Sequence, residues 1–224
     1  MGYLGSPKDL TKKAGLCKRY ILNVRKLPVG IVMFISTLTG VQNDVISKYS
    51  DEFDIKTEGY SLSSDYHRAF YIMTRILKPE IVIETGVFEG HSSHAILLAR
   101  EENNKGFLYS IDLPSPKLPP GKEPGWVVPG HLRKRWDLRA GKSSDLLPGL
   151  LTEVKEVCIF LHDSEHSYEN MYWEYKTAWK YLRKGGLLLS HDVSQNQAFR
   201  NFVKYVLEDY YYMWRNCGGI KRTK

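Results

Sequence analysis

From residue 62 onward the apolar positions follow two alternating rhythms. Short apolar runs of strand length are separated by longer stretches in which apolar residues recur every three or four positions. That alternation predicts strands and helices in turn, and so a mostly parallel sheet with helices on both faces. A helix is expected over Ser64–Leu77, with Ser63 or Ser64 as N-cap and Pro79 beyond its end. Strands follow at Ile81–Thr85, Phe107–Leu113, Trp136–Ala140, Val157–Asp163, Leu187–Asp192 and Tyr210–Arg215. Helices are expected at Ser92–Glu101, Ser143–Leu151 and Gln195–Glu208. A strong amphipathic helix carries Tyr168, Met171, Tyr172, Tyr175, Trp179 and Leu182 on one face, and Gly185-Gly186 should stop it. Gly218-Gly219 should turn the chain into a last, antiparallel strand at Ile220–Thr223. The sum is a doubly wound α/β sheet of seven strands over residues 56–224, with residues 1–55 as an N-terminal extension.

Residues 114–130 break the rhythm. Their prolines and glycines cannot form regular structure, so a long loop is expected between the second and third strands. Trp126, His131, Arg133 and Arg135 in and after it suit a lid over the site.

The charge is uneven. The chain carries +7, but residues 1–30 supply +6 and residues 215–224 supply +4, which leaves the body at −3. A basic cleft for nucleic acid is therefore not indicated. Three cysteines (Cys17, Cys158 and Cys217) without framework spacing predict a reduced, cytoplasmic setting. Residues 27–41 are uncharged behind a basic segment, too few for a membrane span of about 20 residues. Two readings of residues 8–41 stand: a basic amphipathic surface lying on anionic lipid, or a helix and strand packed on the domain or on a second copy of the chain.

Candidate chemistry comes from the ends of the strands. In open parallel sheets, ligands bind outside the carboxyl ends. Glu84, Gly86 and Gly90 follow the first strand, in an E-x-G-x-x-x-G turn that opens a helix at Ser92. Asp112 ends the second strand, where an acid can accept hydrogen bonds from ribose hydroxyls. Gly141-Lys142-Ser143-Ser144 follow the third strand, and the N–H and hydroxyl groups of Ser143 and Ser144 suit an adenine edge. His162, Asp163 and His166 follow the fourth, and His191 and Asp192 the fifth. Four of the seven histidines thus fall at one rim (His91, His162, His166 and His191), which argues for an enzyme.

The glycine turn resembles the nucleotide loop of the class I S-adenosylmethionine-dependent methyltransferases, whose fold is Rossmann-like. The segment 139–149, RAGKSSDLLPG, resembles the third-strand turn of catechol-type O-methyltransferases. The segment 160–193 resembles the D-x-x-H-x-Y … L-R-x-G-G … H-D pattern of a family that methylates sugars and natural products. The resemblance covers about residues 60–224. It implies Glu84, Gly86, Gly90, Ser92, Asp112, Ser143, Ser144 and Asp163 around S-adenosylmethionine. It also implies a small-molecule or glycan hydroxyl as acceptor, and Asp163 with Asp192 beside it. In metal-dependent members, carboxylates at these two strand ends hold Mg²⁺. Here His191 stands where an acid would make a better Mg²⁺ site, so Asp163, His191 and Asp192 are metal candidates for Mg²⁺, for a softer ion together with His166, or for none. A neutral imidazole at His166, paired with Asp163, is the candidate general base.

Other classes fit less well. A nicotinamide oxidoreductase would show G-x-G-x-x-G spacing. Tyr172 and Lys176 have the Tyr-x-x-x-Lys spacing of such enzymes, but Tyr172 lies on the apolar face of its helix. A nucleic-acid methyltransferase would show a basic body and often N-P-P-[YF] after the fourth strand, where this chain has HDSEH. The non-enzymatic alternative is a membrane-associated module that binds S-adenosylmethionine without turnover.

Overall fold

A computed structural model of the protein describes residues 27–62 and 64–224. Among the described residues, three helices come first: α1 Val29–Thr39, α2 Asn43–Lys56 and α3 Asp65–Leu77. Strand β1 (Ile81–Thr85), α4 (His91–Asn103), β2 (Phe107–Asp112), a 3₁₀ helix (Gly130–Arg135), β3 (Trp136–Ala140), α5 (Ser143–Val154) and β4 (Val157–His162) follow. The chain continues through α6 (Tyr168–Trp179), β5 (Leu182–Ser190), α7 (Ala198–Val206), β6 (Tyr211–Trp214) and β7 (Cys217–Lys221). The seven strands lie in the order β3-β2-β1-β4-β5-β7-β6. Strands β1 to β5 are parallel, and β7 runs antiparallel between β5 and β6. The expected doubly wound, Rossmann-like sheet of seven strands with an antiparallel last strand is the one observed.

Alternation along the central strands divides the core in two. Val82, Ile159, Leu161, Leu187 and Leu189 face one layer, with α1, α3 and α4. Ile83, Phe160 and Leu188 face the other, with α5, α6 and α7. The described part of the extension contributes two helices to this core. Helix α1 buries Ile31, Phe34, Ile35 and Leu38 in the layer that holds Tyr212 and Cys217 of β6 and β7. The uncharged stretch forms the helix Val29–Thr39 rather than a strand, and no single helix among the described residues is long and apolar enough to cross a membrane. The basic stretch 8–26, with Cys17, lies outside the described residues, as does Ser63. The N-cap of α3 is Ser64, whose hydroxyl accepts the His67 N–H at 3.4 Å.

Two glycine pairs act differently from expectation. Gly185-Gly186 do not stop a helix. Helix α6 ends at Trp179, Leu182 opens β5, and the glycines carry the strand through a register shift against Val157–Ile159. Gly185, at φ +80°, adopts the backbone that such an irregularity needs. Gly218-Gly219 do not turn the chain either. The turn lies at Arg215 (φ +51°) and Asn216, and both glycines sit inside β7. A Cβ on Gly218 would stand 2.6 Å from the Phe199 ring, and one on Gly219 would stand 2.4 Å from Leu38. The pair lets α7 and α1 close on opposite faces of the same strand.

Candidate functional site

A cleft of about 680 Å³ opens at the carboxyl ends of the parallel strands. Each expected residue can be placed against it. Gly86, Asp112, Ser143, Ser144, Asp163, His191 and Asp192 line it, while Glu84, Gly90, Ser92 and His166 do not.

Glu84 serves the turn from inside the protein. Its carboxylate is fully buried and accepts the hydroxyls of Ser92 at 2.6 Å, Ser93 at 2.5 Å and Ser110 at 2.9 Å. These bonds lock the first turn of α4 to β1 and β2, so Ser92 works on Glu84 from a buried position. Burial pushes the Glu84 carboxyl up to about 7, against the opposing pull of the three hydroxyls. The folded state therefore holds this proton more tightly than the unfolded chain. Stability from this group is complete below about pH 4.5 and is lost as pH rises through about 7, in all about 3 kcal/mol. Denaturant titration of the wild type and Glu84→Gln across that window tests this. The wild type should lose stability with rising pH relative to the variant, and parallel curves would refute the assignment.

The glycines of the turn are dictated by chain crossing. Gly86 has φ +83°, and a Cβ there would stand 2.1 Å from the Asp163 carbonyl oxygen. Gly90 has φ +100°, and its Cβ would stand 2.6 Å from Gly125 Cα. The close approach expected toward a ligand is at Gly90 an approach to the proline loop. That loop is fastened to the turn: the N–H of Gly125 bonds the Phe88 carbonyl at 2.8 Å, and the N–H of Val127 bonds that of Glu89 at 3.1 Å. Arg133 braces it by donating to the Gly125 carbonyl at 2.6 Å, and Arg135 donates to Asn104. Trp126, His131, Arg133 and Arg135 do not line the cleft; Leu113 and Ser115, at the start of the loop, do.

Asp112 faces the cleft and shapes it. Its Oδ2 accepts the N–H groups of Val87 at 3.0 Å and Phe88 at 2.6 Å, and its Oδ1 accepts that of Leu113 at 2.8 Å. A carboxylate offers about four lone-pair sites, so three are already used by the turn. Across the cleft, Ser143 and Ser144 begin α5, and the N-cap position belongs to Lys142. The H-x-x-H pair of α4 diverges: His91 meets Glu89 at 3.2 Å, and His94 is buried with its ring 4.7 Å from that of Tyr60.

At the ends of β4 and β5, four side chains meet. Asp163 Oδ1 lies 3.2 Å from His191 Nδ1 and 3.6 Å from His166 Nε2. Asp192 Oδ2 lies 3.5 Å from both of those nitrogens. Burial acts to raise the Asp163 carboxyl, but His166 and His191 outweigh it and hold it below the usual range. Burial acts to lower His191, but Asp163 and Asp192 outweigh it and hold the imidazole above its ordinary value. Asp192 is placed by a left-handed backbone, φ +51°, which is costly for a residue with a side chain and recurs at functional sites.

Two contributors escaped the sequence reading. Tyr66 of α3 packs its ring 4.7 Å from that of His191, and burial together with Asp163 pushes its phenol up, so it stays a hydroxyl. Nothing in the pattern around Tyr66 signals this. Glu174 of α6 is fully buried and accepts His162 Nδ1 at 2.7 Å, Thr85 at 2.5 Å and Ser164 at 2.8 Å. A carboxylate beside Tyr175 on an otherwise apolar face was its available signal.

Residues 83–193 match the sequence model of a family described as a methyltransferase domain. Among curated proteins nothing matches. Among solved structures, the chain is similar to the S-adenosylhomocysteine-bound methyltransferase PaMTH1 of Podospora anserina, at 14% identity over 99% of each chain with a TM-score of 0.55. It is similar to the O-methyltransferase TomG of Streptomyces achromogenes, involved in tomaymycin synthesis and solved with S-adenosylmethionine, at 14% identity over 81% of this chain and 91% of that one, TM-score 0.55. It is also similar to MycE of the mycinamycin biosynthetic pathway, solved with Mg²⁺, S-adenosylhomocysteine and mycinamycin VI, at 14% identity over 80% of this chain and 54% of that one, TM-score 0.52. These likenesses concern the fold, and they agree with the sheet order and with the match over β1 to β5. Through residues 83–193 the chain carries a methyltransferase domain, set on a class I, Rossmann-like sheet.

Proposed function

We propose that this protein transfers the methyl group of S-adenosylmethionine to a hydroxyl of a small molecule or glycan, with His166 taking the proton. The observation that supports it best is the placement of Asp112 and Asp163 in one cleft, with His166 behind the lining at 3.6 Å from Asp163. Asp112 is suited to the ribose hydroxyls, Ser143 and Ser144 to the adenine edge, and the turn after β1 to the methionine end. Glu84, Gly90 and Ser92 hold that turn in shape. The acceptor oxygen forms its bond to the methyl carbon as the carbon–sulfur bond breaks, and the sulfonium leaves as the thioether S-adenosylhomocysteine. Positioning supplies most of the acceleration in such an in-line transfer. The hydroxyl proton passes to His166 Nε2, which makes no hydrogen bond among the described residues and stands beside Asp163. TomG and MycE, both tied by name to natural-product pathways, support a hydroxyl acceptor of that kind.

Calorimetric titration with S-adenosylhomocysteine tests the cofactor half. The wild type should bind, and Asp112→Ala should lose binding by at least tenfold, because it removes both the diol partner and the acceptor for three backbone N–H groups. A folded wild type that does not bind would sink the proposal. Transfer of labelled methyl from S-adenosylmethionine to a panel of phenols, sugars and glycosides then identifies the acceptor.

A further inference from the structure

Asp163, His191, Asp192 and His166 form a closed ring of alternating carboxylates and imidazoles, with successive ligand atoms 3.2, 3.5, 3.5 and 3.6 Å apart. All four atoms lie within 4.8 Å of one another. A tetrahedral ion with bonds near 2.0–2.1 Å needs ligand atoms about 3.3 Å apart, close to the four distances around the ring. The donor set is a poor fit to the Mg²⁺ seen in MycE. Mg²⁺ demands near-octahedral oxygen ligation, and here half of the donors are imidazole nitrogens. Imidazole with carboxylate suits Zn²⁺ and its neighbours.

The four backbones are pinned before any ion arrives. The N–H of Asp163 bonds the Thr85 carbonyl at 2.7 Å, and that of His191 bonds the His162 carbonyl at 2.9 Å. The Asn196 side chain bonds the His166 carbonyl at 2.9 Å, and Asp192 is held at φ +51°. Catalytic zinc sites keep one position open, whereas four protein ligands close the shell. The fourth ligand here is His166, the residue read above as the proton acceptor.

We propose that Asp163, His166, His191 and Asp192 bind a transition ion of the Zn²⁺ class as a closed four-ligand site, and that this ion switches methyl transfer off by occupying His166. The metal site stands on geometry alone; only the switching rests on the methyl-transfer reading. The ring is then a sensor set in the acceptor end of the cleft: the metal-free form is active and the loaded form is silent.

The test uses the full chain, stripped with a chelator. Zn²⁺ is titrated by calorimetry and Co²⁺ by visible absorption, each with and without S-adenosylhomocysteine. The expected result is one ion per chain, an intense four-coordinate Co²⁺ spectrum, and no displacement by millimolar Mg²⁺. His166→Ala should weaken Zn²⁺ at least tenfold. Zn²⁺ should also protect His166 from acylation by diethyl pyrocarbonate, read by mass spectrometry, a measurement that needs no acceptor. Undiminished Zn²⁺ affinity in His166→Ala, or unprotected His166, would overturn the switch. Absent Co²⁺ bands with S-adenosylhomocysteine binding intact would overturn the metal site and leave the methyltransferase reading in place. The reverse result, metal bound but no S-adenosylhomocysteine, would uphold the site and sink that reading.

Discussion

Glu174→Ala should lower the free energy of unfolding by about 3–5 kcal/mol, as expected when the shared acceptor of a buried hydrogen-bond network is removed and a void is left. The carboxylate is fully buried on α6. It binds His162 Nδ1 at 2.7 Å and Thr85 at 2.5 Å through one oxygen, and Ser164 at 2.8 Å and Asn170 at 3.3 Å through the other. Burial alone would raise its carboxyl, but His162 and the surrounding donors outweigh burial and hold it below the usual range, so the group is ionised. Alanine leaves a buried histidine, two hydroxyls and an amide without their acceptor, and opens a void. Glu174→Gln keeps the volume and one oxygen, so its cost should be smaller, about 1–3 kcal/mol for a buried donor left facing the wrong partner. Denaturant unfolding of the three proteins at neutral pH measures both. A loss under about 1 kcal/mol for alanine would mean that the network does not hold the end of β4. The site should feel the change too, because His162 precedes Asp163 and its carbonyl accepts the N–H of His191 at 2.9 Å.

The second large effect is kinetic. With an acceptor in hand, His166→Ala should lower the methyl-transfer rate by roughly 10²- to 10⁴-fold, the usual worth of a positioned general base. S-adenosylhomocysteine affinity should stay at the wild-type value, since His166 is outside the cleft lining while Asp112 is within it. The difference in profile is diagnostic. Loss of a base depresses kcat and leaves cofactor binding alone, whereas loss of a positioning group such as Asp112 depresses binding first. An unchanged rate in His166→Ala would remove this residue from the chemistry and shift the role of proton acceptor to Asp163 or Asp192.

Much of the architecture was legible because periodicity reports burial directly. Strands β1 and β3 fall on the expected residues, and β2 and β4 end one residue sooner. The rule that parallel strands present ligands at their carboxyl ends was enough to collect Asp112, Ser143, Ser144, Asp163, His191 and Asp192 on one rim, and all of them line the cleft. It placed Glu84 and Gly90 on that rim as well, and the family resemblance added Ser92, though all three are buried and support the turn.

The glycine pairs show where local reading stops. Gly-Gly announces a break when only the neighbouring sequence is considered. At 185–186 and 218–219 the chain instead stays in strands. A bulge against β4 needs the first pair, and two helices distant in sequence, α1 and α7, press on the second. Helix α1 itself carries no polar face by which its sequence could reveal the sheet it covers.

The sequence by itself determined the alternation of elements, the parallel sheet and the rim on which the chemistry stands, because each depends on the spacing of apolar and polar residues along one segment. The tertiary structure alone decided that Glu174 underlies His162, that Tyr66 leans on His191, and that two carboxylates and two imidazoles close into a ring. Those relations join residues from separate strands and helices. Strand register and helix docking bring them within a few ångströms, and no single segment of the chain encodes either.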